Sequence, residues 1–471
     1  MITFICALVI LFAGYFLYGR LVERVFKPDD RPTPAVKKPD GVDRVPMKTW
    51  KVFMIQLLNI AGTGPIFGAL LGAVFGPVVF LWIVFGSILG GAVHDYMSGM
   101  ISIRMNGASL SEIIGKYLGK FAKQFMRVFS IFLMILVGAV FTKSPAELLS
   151  RITPEWATTA VWIAVILAYY ILATLLPIDK LIGKLYPIFG GMLILMAVGI
   201  VIGLFVGGYH IPEMQFENLN PKDTPMFPFM FVTVACGAVS GFHGTQSPMM
   251  ARCIKSEKQG RRVFYGAMIV ESVIALVWAA AGVAFYETTG GLQNALSSLG
   301  QSGVVYDISV KLLGTVGGAL AIIGVVACPI STGDTAFRSA RLTIADWFNI
   351  DQSKFVKRLL VTLPIVAAST ALMLLNGEVI WRYLSWCNQT FAAFTLWAEA
   401  MYLAKNAKRR WYSLMCALPA AFMTAVCGAY ILMADEGFKI SSQIAYPIGL
   451  CLAAACAALF LVKAAKTVRE A

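Results

Sequence analysis

Apolar stretches of close to 20 residues recur along almost the whole chain and alternate with short polar segments. A run of this length crosses the hydrocarbon core of a bilayer as an α-helix, since about 20 residues cover about 30 Å. The pattern predicts thirteen transmembrane helices with approximate cores at 2–19, 51–73, 77–101, 122–142, 157–176, 184–208, 227–249, 263–286, 306–330, 357–376, 380–404, 411–433 and 443–463. We therefore expect an all-α polytopic membrane protein that has the lipid bilayer as a partner.

Two of the predicted helices are interrupted by glycine, proline and hydroxyl-bearing residues. The first interruption lies at 59–68, and the second lies within 232–253 and contains His243, one of only three histidines. Unpaired backbone groups and an ionisable ring cost several kcal/mol in hydrocarbon, so such a break is tolerated only where it lines a cavity. The two breaks are five predicted spans apart. Because five is odd, the two broken helices enter the membrane from opposite sides.

Broken helices at corresponding positions of two five-helix units with opposite orientation are typical of inverted-repeat transporters. Residues 51–208 are expected to form the first repeat and residues 227–404 the second, joined by an extracytoplasmic loop at 209–226. Residues 1–50 then add an N-terminal helix and a cytoplasmic loop, and residues 405–471 add two C-terminal helices. The predicted fold is thus a 5+5 inverted repeat with one N-terminal and two C-terminal extra helices.

Composition and charge support this topology. Hydrophobic residues make up 58% of the chain and charged residues only 14%, which excludes a soluble globule. The net charge of +14 is a topology signal rather than a sign of a nucleic-acid partner. With the N-terminus outside, the predicted cytoplasmic segments hold all of the 39 lysines and arginines except Lys143, Arg151, Lys222, Lys311, Arg382 and Lys439. The positive-inside rule therefore places the C-terminus in the cytoplasm.

The two breaks supply the candidate substrate contacts. At an unwound segment, half-helix N-termini present N–H groups to anions and freed carbonyls can coordinate cations. The candidates are Gly62, Thr63, Gly64, Ser240, Gly241, His243, Gly244, Thr245 and Gln246. For any single glycine, close helix packing is an equally good interpretation. For His243, the alternative is a neutral ring that is satisfied within the bundle.

Two alternative hypotheses for ion coupling concern the end of the ninth predicted span. Ser331 and Thr332, with Asp334, could complete a sodium site with backbone carbonyls of the first broken helix, because hard cations prefer oxygen ligands. Lys184, at the start of the sixth span, could instead place an ammonium group there and make the proton the driving ion. A lysine that extends to the membrane surface is the alternative for Lys184.

Three of the carboxylates within predicted spans are candidates for a functional role. Asp95 follows His94, and a carboxylate at this depth could relay a proton or pair with a cation; a structural pair with Arg104 is the alternative. Glu271 and Glu399 are expected to face the bundle interior, where coupling and hydrogen bonding between helices are equally good interpretations. Their roles stay open.

The sequence contains few signs of enzymatic chemistry. There is no HExxH, GxSxG, P-loop or dinucleotide-binding motif. The nine cysteines lie in or beside apolar runs without CxxC spacing, which indicates neither a disulfide framework nor a zinc site. Two histidines with Asp95 could bind a metal, but they lack ligand spacing. We predict no enzyme, no catalytic residue, no metal and no cofactor other than a coupling proton or sodium ion.

Five motifs resemble the carbon starvation protein A family of membrane transporters. They are DGVDRVPMKTW (40–50), IAGTGP (60–65), GGAVHDY (90–96), VTVACGAVSGFHGTQSPMMARC (232–253) and CPISTGDTAFRSARL (328–342). The resemblance implies a LeuT/APC-like fold and secondary uptake of peptides, with pyruvate as a substrate of close relatives. The sequence departs at Ile55 and Gln56, where many members carry a histidine pair, so a coupling role of that pair is not expected here.

Pattern and resemblance together predict a secondary active transporter in the bacterial cytoplasmic membrane. It would import short peptides during carbon starvation, a stress response, by ion-coupled alternating access. A pyruvate or amino-acid transporter of the same fold is the first alternative. From another class, the alternative is a nutrient sensor that binds the same ligand without net transport.

Overall fold

The computed structural model describes residues 1–175, 182–375 and 377–469, and these residues form helices without a strand. In chain order the helices are α1 (Ile2–Phe16), α2 (Tyr18–Phe26), α3 (Pro34–Lys37), α4 (Thr49–Ala61), α5 (Gly64–Ala73), α6 (Val79–Leu81), α7 (Ala92–Arg104), α8 (Leu110–Leu118), α9 (Lys120–Ile152), α10 (Thr159–Leu175), α11 (Ile182–Val206), α12 (Met226–Thr233), α13 (His243–Ala251), α14 (Gly266–Phe285), α15 (Thr289–Phe348), α16 (Phe355–Leu372), α17 (Gly377–Asn406), α18 (Leu414–Met433) and α19 (Ser442–Arg469). Single π-helical segments at Trp82–Gly91 and Arg261–Tyr265 lead into α7 and α14.

Many of these helices are long and apolar enough to cross a membrane. Nine qualify by length and composition within the described residues, and the bent pair α4 and α5 supplies a tenth. Each of the thirteen predicted cores overlaps a helix. The all-α polytopic architecture is therefore confirmed, while the number of crossings stays a prediction.

The ninth predicted span differs from the structure. Its core was expected at 306–330, but the backbone of α15 leaves the helical conformation at Gly300 (φ 70°) and Gly314 (φ 63°) and then continues as helix to Phe348. A positive φ is open to glycine at little cost, so these two residues set where the straight segments begin. Ser331, Thr332 and Asp334 consequently lie inside a buried helix rather than at its end.

The interior of the bundle is formed around the broken helices. Within the most apolar window of each span, 83% of Val79–Arg104 and of Glu257–Phe285 is buried, against 22% of Ser442–Lys466. Large apolar side chains of α19, such as Leu450 and Leu459, are exposed, as expected for a helix that faces lipid. The spans Val79–Arg104 and Glu257–Phe285 therefore lie in the interior of the bundle, and α19 lies at its periphery.

The loop at 26–50 packs onto one end of the bundle, which we call the loop face and which topology predicts to be cytoplasmic. The Met47 backbone N–H donates to the Cys253 carbonyl at 3.0 Å, and the Thr33 hydroxyl donates to the Ile254 carbonyl at 2.6 Å. Both carbonyls lie just after α13. The loop is thereby fixed to the end of the second broken helix.

A buried ion cluster completes this attachment. The Asp43 carboxylate lies 2.8 Å from Arg338 and 3.4 Å from Arg341, both on α15. All three side chains are buried. Burial by itself raises the pKa of Asp43, but the guanidinium groups of Arg341 and Arg338 outweigh it and lower the pKa to about 2. Asp43 is therefore an anion at neutral pH that joins the loop to α15 and closes the loop face.

We expect Asp43→Ala to destabilise the protein, because it leaves two buried guanidinium groups without their carboxylate. Breaking a buried ion pair on one side costs about 3–5 kcal/mol. The midpoint of thermal unfolding of the detergent-purified protein measures the loss. Asp30→Ala is the matched control, since the Asp30 carboxylate pairs with Lys258 on the surface and is 81% exposed. Equal midpoints for the two variants would contradict the role given to Asp43.

Candidate functional site

The first break is an unwinding between α4 and α5. The axes of the two helices are bent by 44°, and Gly62 between them has φ 36° and ψ −144°. L-residues with a side chain rarely adopt this conformation. Thr63 is fully buried, and its hydroxyl has no hydrogen-bond partner among the described residues. The structure confirms the break that the sequence predicts and leaves a polar group free there.

The second break lies between α12 and α13. Helix α12 ends at Thr233, α13 begins at His243, and the residues between them are not helical, with Gly237 at φ 87°. The two breaks are in contact. Gly64, at the start of α5, lies so close to Cys236 that a Cβ atom on Gly64 would collide with the thiol. The structure thus brings together two segments that are about 170 residues apart in the sequence.

Asn388 of α17 holds the second break in place. Its Oδ1 accepts the backbone N–H of Phe242 at 2.6 Å, its Nδ2 donates to the Ser240 hydroxyl at 3.0 Å, and its carbonyl accepts the backbone N–H of Gly241 at 3.2 Å. A Cβ at Gly241 would collide with the backbone of Asn388 and Ala392. Gly241 therefore permits close packing.

The engagement of Asn388 corrects one expectation. The amides at the start of α13 were expected to face an anion, but those of Gly241 and Phe242 are already paired with Asn388. Ser240 is paired with the same side chain. A buried backbone group without water must find a partner within the protein, and Asn388 supplies it. At the start of α5, Pro65 has no N–H and the Ile66 and Phe67 amides bond to the Thr63 carbonyl, so Gly64 is the first residue there with an amide to offer.

A cavity lies between the breaks. It is lined by Ile60, Gly64, Val137, Phe141, Thr233, Ala235, Cys236, Phe242, Trp381, Leu384, Ser385 and Asn388. Of the predicted contacts only Gly64 lines it. Sequence reasoning missed Cys236, Ser385 and Asn388; the polar run Asn388-Gln389-Thr390 inside an apolar span was the one available signal.

Thr245 lines a different cavity, on the other side of the second break. That cavity is rich in hydroxyl groups and is lined by Ser109, Leu110, Ser111, Ser130, Thr245, Pro248, Met249, Arg252, Ser339, Leu342, Thr343 and Phe391. The Gln246 side-chain amide donates to the Thr245 hydroxyl at 2.9 Å, and Gly244 packs against His94. One predicted contact therefore lines each cavity, and the other seven line neither of the two.

His243, at the start of α13, belongs to a buried charged cluster. Its Nδ1 lies 3.0 Å from Asp95 Oδ2, and its Nε2 lies 3.4 Å from Glu271 Oε2. The other Asp95 oxygen lies 2.9 Å from His94 Nδ1. All four side chains are fully buried. The cluster joins α7, α13 and α14 directly behind the second break.

The structure decides two alternatives left open for the acidic residues. Asp95 does not pair with Arg104, which lies instead 3.2 Å from Glu257 near the loop face. The fully buried Glu399 accepts a hydrogen bond from the Ser98 hydroxyl at 2.8 Å, which ties α17 to α7. Asp95 therefore belongs to the histidine cluster, and Glu399 has a structural partner.

The cluster also contains one group of metal-ligand types. Cys236 Sγ, a ring nitrogen of His243 and a Glu271 oxygen lie within 4.8 Å of one another. Thiolate, imidazole and carboxylate are all ligands that zinc accepts. This trio differs from the set considered from sequence, two histidines with Asp95, because Cys236 approaches His243 only through the bend of the unwound segment.

Ser331 and Thr332 face the first broken helix as predicted from sequence. Their hydroxyls lie 3.4 Å and 3.3 Å from the Leu58 carbonyl of α4, and both also bond to the Cys328 carbonyl of α15. Four oxygen atoms thus meet one turn before the break. Oxygen ligands of this kind suit a hard cation.

Asp334 and Lys184 lie away from these oxygens. The Asp334 carboxylate accepts a hydrogen bond from the Tyr186 hydroxyl at 2.6 Å and so bonds to α11 instead of α4. Lys184 is exposed, beside Trp50 and Lys51 in a surface depression. Its ammonium group stays at the surface because Lys184 lies in the first turn of α11. The structure does not bring Lys184 to the site proposed for it.

Comparison with known proteins identifies the family. The family described as Carbon starvation protein CstA matches residues 1–171 and 153–287, more than half of the chain. The chain belongs to the CstA family. An uncharacterized membrane protein of Haemophilus influenzae is 45% identical over 351 residues, which cover 63% of this chain and 95% of that protein.

Several relatives of this chain carry functional names, and two of them illustrate the range. Peptide transporter CstA of Bacillus subtilis is 26% identical, over 89% of this chain and 88% of the relative. Pyruvate/proton symporter BtsT of Escherichia coli is 28% identical, over 56% of this chain and 46% of the relative.

Solved structures confirm the fold. A mutant of the Eremococcus coleocola manganese transporter has a TM-score of 0.56 at 13% identity and covers 92% of this chain and 98% of its own. MhsT in complex with L-phenylalanine has a TM-score of 0.55 at 14% identity and covers 89% of this chain and 99% of its own. The CstA family chain thus has the LeuT-like fold. Its named relatives and these neighbours are transporters, not enzymes.

We expect Asn388→Ala to lower stability, because the Phe242 amide and the Ser240 hydroxyl lose their buried partner. A buried donor left without an acceptor costs about 1–3 kcal/mol. Thermal unfolding of the purified protein measures the effect. Asn294→Ala is the control, since the Asn294 side chain is exposed on α15. A midpoint for Asn388→Ala as high as that of the control would show that Asn388 does not hold the break.

Proposed function

We propose that this protein is a secondary active transporter that imports a small carboxylate-bearing nutrient across the bacterial inner membrane. A short peptide is the first candidate substrate, and pyruvate or an amino acid is the second. The observation that carries the proposal is the contact between the two breaks across a cavity in the buried centre of the bundle. The names of the relatives, a peptide transporter and a pyruvate/proton symporter, support the substrate class.

The N-terminus of α5 is the proposed place for the substrate carboxylate. Gly64 opens α5 and lines the cavity, and the free Thr63 hydroxyl is next to it. A helix N-terminus carries partial positive charge, which favours an anion. Pro65 has no N–H and the Ile66 and Phe67 amides bond to the Thr63 carbonyl, so the Gly64 amide would be the backbone donor. The hydroxyl would donate to the same carboxylate. His243 is set behind the second break and acts on the substrate only through that segment.

Alternating access would move substrate from the cavity between the breaks towards the loop face. Arg104 donates to the Lys27 carbonyl and to the Tyr402 hydroxyl, so the last turns of α17 lie at the loop face and Trp381 lies towards the other side. The ion cluster of Asp43 closes the loop face in this structure. Opening it would separate α13 from α17 at Gly241 and Asn388 and connect the first cavity with the hydroxyl-rich one.

Liposomes that contain the purified protein test the proposal. We expect labelled dialanine, pyruvate or alanine to accumulate above equilibrium when a proton or a sodium gradient is imposed. If accumulation depends on sodium, and Ser331→Ala and Thr332→Val abolish that dependence, the sodium ion would bind at the Leu58 carbonyl. Binding of a substrate without accumulation under either gradient would favour the nutrient sensor and refute transport.

We expect Thr63→Val to reduce uptake of the accumulated substrate roughly 2- to 10-fold at low concentration, the equivalent of one lost hydrogen bond. Initial rates at several substrate concentrations measure the change. Thr362→Val is the matched control, because Thr362 is also fully buried but bonds to the Arg358 carbonyl on α16. Equal rates for the two variants would remove Thr63 from the substrate site.

A further inference from the structure

We infer that Glu271 holds the coupling proton, in contact with His243. The inference rests on the proposed transport function and names its driving ion and the residue that carries it. It starts from a geometric feature of the cluster: the Glu271 carboxylate is fully buried on α14, and neither of its oxygens accepts a hydrogen bond of ordinary geometry from the described residues.

The hydrogen bonding of His243 determines what faces Glu271. Asp95 lies 3.0 Å from His243 Nδ1, and a carboxylate in this position fixes a proton on Nδ1. In a neutral ring Nε2 is then an acceptor, and it lies 3.4 Å from a Glu271 oxygen. Two acceptors would face each other in a buried site. A proton, carried either on His243 Nε2 or on Glu271, relieves this repulsion.

The two charged side chains that act on Glu271, His243 and Asp95, favour a proton on it. Asp95 as an anion and His243 as a cation neutralise each other, so an ionised Glu271 would leave one uncompensated negative charge in the bundle. Such a charge is expensive within a membrane. A protonated Glu271 makes the group neutral. When the site is closed to water, the protonated form of Glu271 is therefore favoured. When water reaches the site, loss of the proton is favoured.

No other cation among the described residues is placed to neutralise Glu271. The groups acting on it are His243, Asp95 and the Gly237 amide, with the Cys236 thiol nearby. Of the elements packed against α14, α5 and the segment Trp82–Gly91 contain no ionisable residue. The remaining lysines and arginines on these elements lie at helix ends or in other pairs: Lys51, Lys184 and the exposed Arg262, then Arg104 with Glu257, Arg261 with Glu23, Lys311 with Asp307, and Arg338 and Arg341 with Asp43.

The position of Glu271 links the proton to the substrate cavity. Glu271 faces the unwound segment through Gly237, and Cys236 of that segment lines the cavity and touches Gly64. His243 is the first residue of α13, the helix that would move on opening. In the proposed cycle an O–H bond of hydronium breaks on the side opposite the loop face, an O–H bond forms on Glu271, and water is left behind. When α13 moves and admits water from the loop face, the Glu271 O–H bond breaks and the proton leaves on that water as hydronium.

Glu271→Gln tests the inference because the amide imitates a permanently protonated carboxyl. In liposomes we expect this variant to exchange labelled for unlabelled dialanine or pyruvate, which needs no net proton movement, but to lose accumulation driven by a pH gradient. Glu399→Gln is the matched control, a buried carboxylate bonded to Ser98, and should keep both activities. Wild-type accumulation in Glu271→Gln, or its loss in Glu399→Gln alone, would overturn the inference.

A second measurement does not depend on transport. The infrared carbonyl band of a protonated carboxylic acid should be present in the purified wild-type protein near neutral pH and decrease in Glu271→Gln. If the glutamine variant does not fold, Glu271→Asp takes its place in the test. This variant keeps a carboxylic acid, so it should retain the band and show slower pH-driven uptake. If the wild type transports none of the probes, the proposed function fails, and the infrared band still decides: a band unchanged in Glu271→Gln refutes proton storage on Glu271.

Discussion

An unwound backbone inside a membrane must find its hydrogen-bond partners within the protein, and this constraint organises the bundle. The second break meets it through Asn388, whose side chain and carbonyl engage three consecutive residues of the break. These bonds require the break to lie close to α17, which is possible only because Gly241 has no side chain. The first break rests against Cys236 and leaves the Thr63 hydroxyl unpaired. Within the described residues, the two breaks therefore differ in how far their polar groups are satisfied.

Buried charged side chains form clusters at two places in the bundle. At the loop face, Asp43 neutralises part of the charge of Arg338 and Arg341 and fastens a loop to α15. Behind the second break, Asp95 is shared between two histidines, and a Glu271 oxygen lies 3.4 Å from His243 Nε2. The first cluster is stabilised by complementary charge. For the second, we infer that a proton on Glu271 supplies neutrality.

The likeness to solved transporters at 13–14% identity concerns the fold alone. What the fold contributes is the position of α4, α5, α12 and α13 at the buried centre of the bundle. The chemistry at that position belongs to this chain: a thiol, an asparagine and a carboxylate–imidazole group line or support the cavity. Substrate and coupling ion follow from those side chains and are not set by the fold.

Hydrophobic periodicity by itself determined the class of the protein, the approximate helices and the two breaks, because each depends on residues adjacent in the chain. Glycines at 62 and 237 mark unwinding that any surrounding structure must accommodate. Tertiary structure decided which polar groups meet. It paired His243 with Asp95 and Glu271, engaged Ser240 and Gly241 with Asn388, placed Thr245 in another cavity and left Lys184 at the surface. These outcomes depend on the rotation and separation of helices distant in sequence, which local patterns of hydrophobicity do not encode.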